Sequence, residues 1–176
     1  NVINNVAMTE YGGGIYLESQ NTRLDVHGIG TQLLIQSNTA KNRGGGVFAQ
    51  SASAVVLSSG SHVNVINNVA ATEYGGGVYL EGLNTRLNVS GMDTQLVVQG
   101  NMAEQHGGGV FVLSASAVTL SLGAHLDVIN NTAAKFYGGG IYLEGQNTHL
   151  DVHDNGTQLL IQSNTAKNRG GGVYAQ

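Results

Sequence analysis

Three observations in the sequence predict an all-β, right-handed parallel β-helix solenoid with three strands per rung. The first is a Gly-Gly-Gly triplet followed by a β-branched residue and an aromatic one, which recurs six times: Gly12-Gly14, Gly44-Gly46, Gly75-Gly77, Gly107-Gly109, Gly138-Gly140 and Gly170-Gly172. The second is its spacing. Successive first glycines lie 32, 31, 32, 31 and 32 residues apart, so rungs of about 31–32 residues alternate in a 63-residue double-rung repeat. Residues 1–50 and 127–176, two such repeats apart, match at 40 of 50 positions. A fixed period of this size marks a solenoid rather than a globular core. The third is that apolar residues between triplets alternate with a period of two, as half-buried strands do, and no stretch sustains a 3.6-residue period. Right-handed winding is the default for parallel crossovers.

Each rung divides into three strands. The first follows the glycines, as in Ile15-Tyr16-Leu17-Glu18, Val47-Phe48-Ala49-Gln50 and Val78-Tyr79-Leu80-Glu81. Ile15 and Leu17 share one face; Tyr16 and Glu18 share the other. The second is Arg23-Leu24-Asp25-Val26-His27, matched by Val55-Val56-Leu57 and Val118-Thr119-Leu120. The third is Gln32-Leu33-Leu34-Ile35-Gln36, matched by Val63-Asn64-Val65, Leu96-Val97-Val98 and Leu126-Asp127-Val128. Turn residues separate the strands at Gln20-Asn21, Gly28-Ile29-Gly30 and Ser58-Ser59-Gly60. Stacking equivalent strands about 4.8 Å apart gives a pile of roughly 25 Å for five rungs. The predicted interior holds three aliphatic columns, led by Ile15, Leu33 and Ile35.

The Asn-x-Ala element closes each rung. Asn5, Asn38, Asn68, Asn101, Asn131 and Asn164 hold a fixed offset from the glycines and are expected to form a structural ladder of stacked amides. A buried amide is costly unless it is hydrogen-bonded, so a continuous column is the stable arrangement. The glycines that follow suit a sharp re-entry with positive φ or close backbone approach.

The paired motifs, Gly-Gly-x-[Ile/Val] and an apolar-x-x-Asn element once per rung, resemble those of the chlamydial polymorphic outer membrane proteins. They also resemble related autotransporter passenger and adhesin-like repeats of the pectate-lyase-like β-helix class. The family pattern is Gly-Gly-Ala-[Ile/Leu/Val] with Phe-x-x-Asn. Here the third position is glycine in all six copies, and the second motif opens with Val2, Ile35, Val65, Val98, Val128 or Ile161. The resemblance implies a secreted or surface-exposed adhesin, extracellular or associated with the outer membrane, whose solenoid carries caps and an anchor outside the repeats.

Composition bounds the other classes. The chain has no cysteine, proline or tryptophan, which excludes disulfides and thiolate zinc sites. Net charge is −4 with 10% charged residues, so there is no basic footprint and nucleic acid is not an expected partner. No apolar run approaches the ~18 residues of a membrane span, so no membrane insertion by this segment is expected. Residues 1–176 read as one β-helix segment of about five and a half rungs, expected to continue in a longer array because neither end carries a capping element.

The β-helix also hosts polysaccharide lyases and hydrolases, which need convergent carboxylates. Glu18, Glu81 and Glu144 occupy one repeated position, and Asp25 and Asp151 another. That regularity suits a surface pattern, whereas a catalytic cluster is normally unique. No enzyme activity, cofactor or metal is expected. On one strand face His149, Asp151 and His153 spread over about 13 Å, too far for one ion. The triplets lack the Lys-Ser/Thr and helix of a phosphate cradle. The candidate binding face is the aromatic column Tyr16, Phe48, Tyr79, Phe111, Tyr142 and Tyr174, expected to point outward. Two readings stand for it: rings that stack on themselves and stabilise the sheet, or a docking face. The expected function is a non-catalytic structural or adhesive repeat, an adhesin stalk or filament; the alternatives are a carbohydrate-active enzyme and a glycan-binding module. Expected partners are neighbouring repeats or other copies of the chain, and a host or matrix protein or glycan.

Overall fold

The computed structural model describes residues 1–176 as an all-β, helix-free solenoid in which every strand pair is parallel. Equivalent strands of successive rungs lie side by side in four sheets. The post-triplet sheet has six strands, from Ile15–Leu17 through Val47–Gln50 to Val173–Ala175. The second has five, from Arg23–His27 to His149–Val152. The third has six, from Val2–Ile3 through Gln32–Gln36 to Gln158–Gln162. The fourth is made of two-residue strands at the Asn-x-Ala corner, such as Thr39–Ala40 and Val69–Ala70. Sequence periodicity reads three strands per rung because two residues are too few to show alternation.

Register follows the repeat. Ile15 pairs with Val47, Val47 with Val78, Val78 with Val110, and so on to Val173. The three aliphatic columns therefore stand inside, with Leu24, Val26 and their equivalents from the second sheet. They centre on one cluster of 23 buried side chains, with Ile15, Leu24 and Leu33 partly buried against it. Each rung touches only its neighbours, so the core is built by repetition of one layer.

The glycine triplet carries the chain from the corner into the post-triplet sheet. Gly75 adopts φ +66°, a conformation that costs a residue with a Cβ. A Cβ on Gly77 would sit 2.6 Å from the Gly109 carbonyl oxygen of the next rung and 3.0 Å from the Asn101 amide nitrogen. Backbones of adjacent rungs approach so closely here that only hydrogen fits. Rungs that begin at Gly12, Gly75 and Gly138 (odd rungs, below) also have turns one residue longer after the first and second strands. Arg23 follows Leu17 by six positions where its partner Ala54 follows Ala49 by five.

Beside the triplets run the corner asparagines. Asn38, Asn68, Asn101 and Asn131 are fully buried. The Asn68 backbone N–H and Nδ2 both donate to Asn101 Oδ1, at 2.9 and 3.0 Å, and the second Nδ2 hydrogen goes to the Ile35 carbonyl at 3.0 Å. Asn68 Oδ1 in turn accepts from the backbone N–H and Nδ2 of Asn38. The same contacts join Asn101 to Asn131 and Asn131 to Asn164, and Asn5 donates to Asn38. Each internal amide uses both donor hydrogens and both acceptor positions, its full capacity.

Candidate binding face

The aromatic column stands on the outer side of the post-triplet sheet, in register from Tyr16 to Tyr174. Parallel in-register pairing places identical positions one strand apart, so the rings stack face to face. Centroids lie 5.2 Å apart for Tyr16 and Phe48, 4.9 Å for Phe48 and Tyr79, 5.1 Å for Tyr79 and Phe111, 4.8 Å for Phe111 and Tyr142, and 5.5 Å for Tyr142 and Tyr174.

The expectation that these rings face solvent does not hold. Phe48, Tyr79, Phe111 and Tyr142 are buried, Tyr174 is half-buried, and Tyr16 alone is exposed, at 42%. The cause is a second layer. The residue immediately before each triplet reads Tyr11, Arg43, Tyr74, His106, Tyr137, Arg169 down the stack. These residues bridge in parallel pairs, Tyr11 with Arg43, Tyr74 with His106 and Tyr137 with Arg169. Each of the first five leans over the ring of the following rung. Tyr11 stacks on Phe48 at 4.8 Å, Tyr74 on Phe111 at 4.9 Å, and Tyr137 on Tyr174 at 4.8 Å. The Arg43 guanidinium lies 5.6 Å from the Tyr79 ring, and the His106 ring 4.9 Å from Tyr142. Tyr16 belongs to the first rung of the segment, so its covering position falls outside these residues. An aromatic ring removes ~150–250 Å² from water when buried, so this roof hides a large apolar surface.

Tyrosine alternates in the roof with arginine or histidine, which gives the double-rung repeat a physical basis. Arg43 lies between Tyr11 and Tyr74, 5.5 and 5.4 Å from their centroids, so aromatic faces flank a cation on both sides. Its Nε donates to Glu73 Oε2 at 2.5 Å, and Nη1 donates to Tyr79 Oη at 3.2 Å and Glu81 Oε2 at 3.4 Å. Tyr79 Oη donates to Glu81 at 3.0 Å. Burial, then the Glu81 charge, pushes the Tyr79 phenol far above the usual tyrosine range. Burial works against the Arg43 charge, but Glu73, Tyr79 and Glu81 outweigh it and hold the proton more tightly. His106 occupies the equivalent place between Tyr74 and Tyr137, at 5.3 and 5.2 Å. Burial lowers its pKa, and its Nδ1 accepts the Tyr137 backbone N–H at 3.3 Å.

Three of the repeated carboxylates are engaged locally. Glu81 holds Arg43, Glu18 accepts from Gln50 at 2.9 Å, and Asp25 accepts from Arg23 at 2.5 Å. His153 pairs with Asp154 at 3.0 Å. No three His, Asp or Glu side chains gather in ligating geometry. The large apolar side chains left in water include turn tips: Ile29 at 95%, Met92 at 75%, Leu83 at 69% and Leu122 at 61% exposure.

Comparison with known proteins adds one relative. The chain is 29% identical over 177 residues to the Chlamydia pneumoniae protein described as "Probable outer membrane protein pmp20", covering 94% of this chain and 10% of that protein. Repeat, fold and similarity fit a Pmp-like β-helix repeat. The chain spans about a tenth of the length of the curated relative it matches. No family model matches it, and no solved structure matches it.

Proposed function

We propose that this chain is a non-catalytic segment of a cell-surface, outer-membrane-associated adhesive protein, a rigid β-helical stalk that holds binding surfaces away from the membrane. The observation that carries the reading is the similarity to an outer membrane protein across nearly the whole chain. The architecture supports it. The amide column, the ring stack and the Arg43 pairing all join one rung to the next and suit a rigid rod. In this reading the asparagine column is a structural ladder, and the aromatic column is a sheet stabiliser rather than a docking face, because its own roof occupies it. Turn tips and the outer faces of the second and third sheets then meet host or matrix protein or glycan, and neighbouring repeats or copies extend the rod.

Antibody labelling of intact source cells tests the location. Labelling without permeabilisation, removed by external protease, supports the proposal. Labelling only after permeabilisation contradicts it.

A further inference from the structure

The outer face of the third sheet carries a polar column that none of the pairings above uses. His62, Gln95 and His125 stand in register on the strands His62–Ile66, Gln95–Gln99 and His125–Ile129. Each of these strands is paired on both sides, so the column lies wholly within internal rungs. Beside it stands the turn Gly91-Met92-Asp93-Thr94. This turn belongs to an odd rung, and Gln95 follows Ser90 by five positions where its partner His62 follows Ser58 by four. The extra residue makes its tip stand proud of the turns on either side. Two contacts hold the tip in place. His62 Nε2 donates to the Asp93 carbonyl at 3.0 Å, and Met92 lies over Gly123, where an added Cβ would meet its Cγ at 3.3 Å.

Between tip and column runs an open groove of about 350 Å³, lined by His62, Asp93, Thr94, Gln95 and His125. The volume suits a small ligand, and a lining without an apolar side chain suits a polar one. At Asp93 the groove opens into a second recess over Ser59 and Gly60, where Met92, 75% exposed, supplies an apolar wall. Gln95 Nε2 donates to Asp127 Oδ2 at 2.9 Å, which leaves the Gln95 carbonyl free. The Asp93 carboxylate and the His125 ring have no partner within the chain.

These groups set the chemistry of a ligand. Most of them accept hydrogen bonds, so the partner must be rich in donors. No lysine or arginine lines the groove, and the Asp93 and Asp127 carboxylates repel sulfate and uronate. An extended peptide that docks by strand addition needs a free sheet edge, and these three strands have none. Sugar rings meet every condition, with hydroxyls that donate to Asp93 and Gln95 and an apolar face that rests on Met92. His62 to His125 spans two strand spacings, roughly 10 Å, the length of a disaccharide.

We propose that His62, Asp93, Gln95 and His125 bind an uncharged glycan, two pyranose rings laid along the column. The proposal rests on the adhesive reading above and names where the solenoid grips its partner.

NMR titration of the whole chain tests it. The probes are disaccharides of glucose, galactose and N-acetylglucosamine, a sulfated disaccharide, a galacturonate dimer and a lysine tripeptide. At least one uncharged disaccharide is expected to bind saturably, with the largest shifts at the backbone amides of Asp93, Gln95 and His125. The sulfated and uronate probes are expected to bind at least about tenfold more weakly. The double variant Gln95→Ala/His125→Ala is expected to weaken sugar binding at least about tenfold. Asp93→Asn, which keeps a residue tolerant of φ +59°, is expected to narrow the gap between uncharged and uronate probes. The proposal is overturned if no uncharged disaccharide binds, if an acidic probe binds as tightly, or if the variants behave like the native chain. A lysine tripeptide that binds more tightly than every sugar assigns the groove to a protein partner and overturns it too. The titration is made in solution, so its failure strikes the glycan groove alone, while labelling only of permeabilised cells strikes the surface reading.

Discussion

Arg43 Nε donates to Glu73 Oε2 at 2.5 Å across 30 residues of chain and one rung of the solenoid. The pair ties the residue before one triplet to the loop before the next. Because both side chains are mostly shielded, the bond is worth more than a surface ion pair. Arg43→Ala should lower stability by about 2 kcal/mol, since it also removes the guanidinium donor to Tyr79 Oη and one of the two donors to Glu81. A double-mutant cycle with Glu73→Ala should give a coupling of about 1 kcal/mol. Strict additivity would mean that the two side chains do not cooperate.

Asn68→Ala should cost roughly 1–3 kcal/mol, because it leaves the Asn38 backbone N–H and Nδ2 without their acceptor and takes one donor each from Asn101 Oδ1 and the Ile35 carbonyl. Asn5, exposed and bonded only towards Asn38, should cost less when replaced by alanine. Urea midpoints of the two variants compare the sites directly, and equal losses would contradict the account of the amide column.

Gly108→Ala places a methyl 2.6 Å from the Gly139 carbonyl oxygen, a backbone atom that cannot swing aside. Separating two rungs to admit it should cost at least about 1–3 kcal/mol. Gly30→Ala, whose added methyl meets nothing within 4 Å, carries only the positive-φ cost of about 1–2 kcal/mol. A melting temperature for Gly108→Ala no lower than that of Gly30→Ala would show that the rungs are not in such close contact.

His106 should make the solenoid acid-sensitive. Its folded pKa lies below the unfolded value near 6.5, so the unfolded chain takes up a proton first as pH falls. Stability is therefore full above about 6.5, declines through the interval down to the folded value, and flattens below it. Protonation also removes the Nδ1 acceptor of the Tyr137 N–H. The slope of stability against pH in this interval should be shallower in His106→Phe, and an unchanged slope would assign it to other groups.

At the alkaline end the sign reverses. Tyr79 and Tyr142 hold their protons more tightly folded than unfolded, through burial first and then the charges of Glu81 and Glu144. Their contribution is complete below the unfolded value near 10 and is lost as pH rises above it. Ultraviolet titration should show phenolate absorbance from these two rings only together with unfolding. Free titration of all seven tyrosines near 10 in the folded state would mean that the roof is open.

The sequence pattern made the inward half of each strand legible. Val47, Val63 and Val65 alternate with polar or aromatic neighbours, and a period of two assigns them one face. It assigned Phe48 and Tyr79 to the other face correctly but read that face as solvent. Alternation reports a side of the sheet and is blind to a second layer laid over it. The signal for that layer was present in the residue before each triplet, Tyr11, Arg43, Tyr74, His106, Tyr137 and Arg169, whose alternation of tyrosine with arginine or histidine matches the double-rung period. Two-residue strands such as Val69–Ala70 carry no periodicity at all, so the fourth sheet became visible only in the backbone pairing.

The surface role is tested most directly by adhesion of the folded chain itself. Beads coated with the chain are counted on epithelial cells and on immobilised matrix, beside beads coated with chain unfolded before coupling. The account predicts saturable attachment by the folded chain that soluble chain competes away and that Tyr79→Phe, a change beneath the roof, leaves intact. Attachment no greater than with the unfolded chain would contradict it.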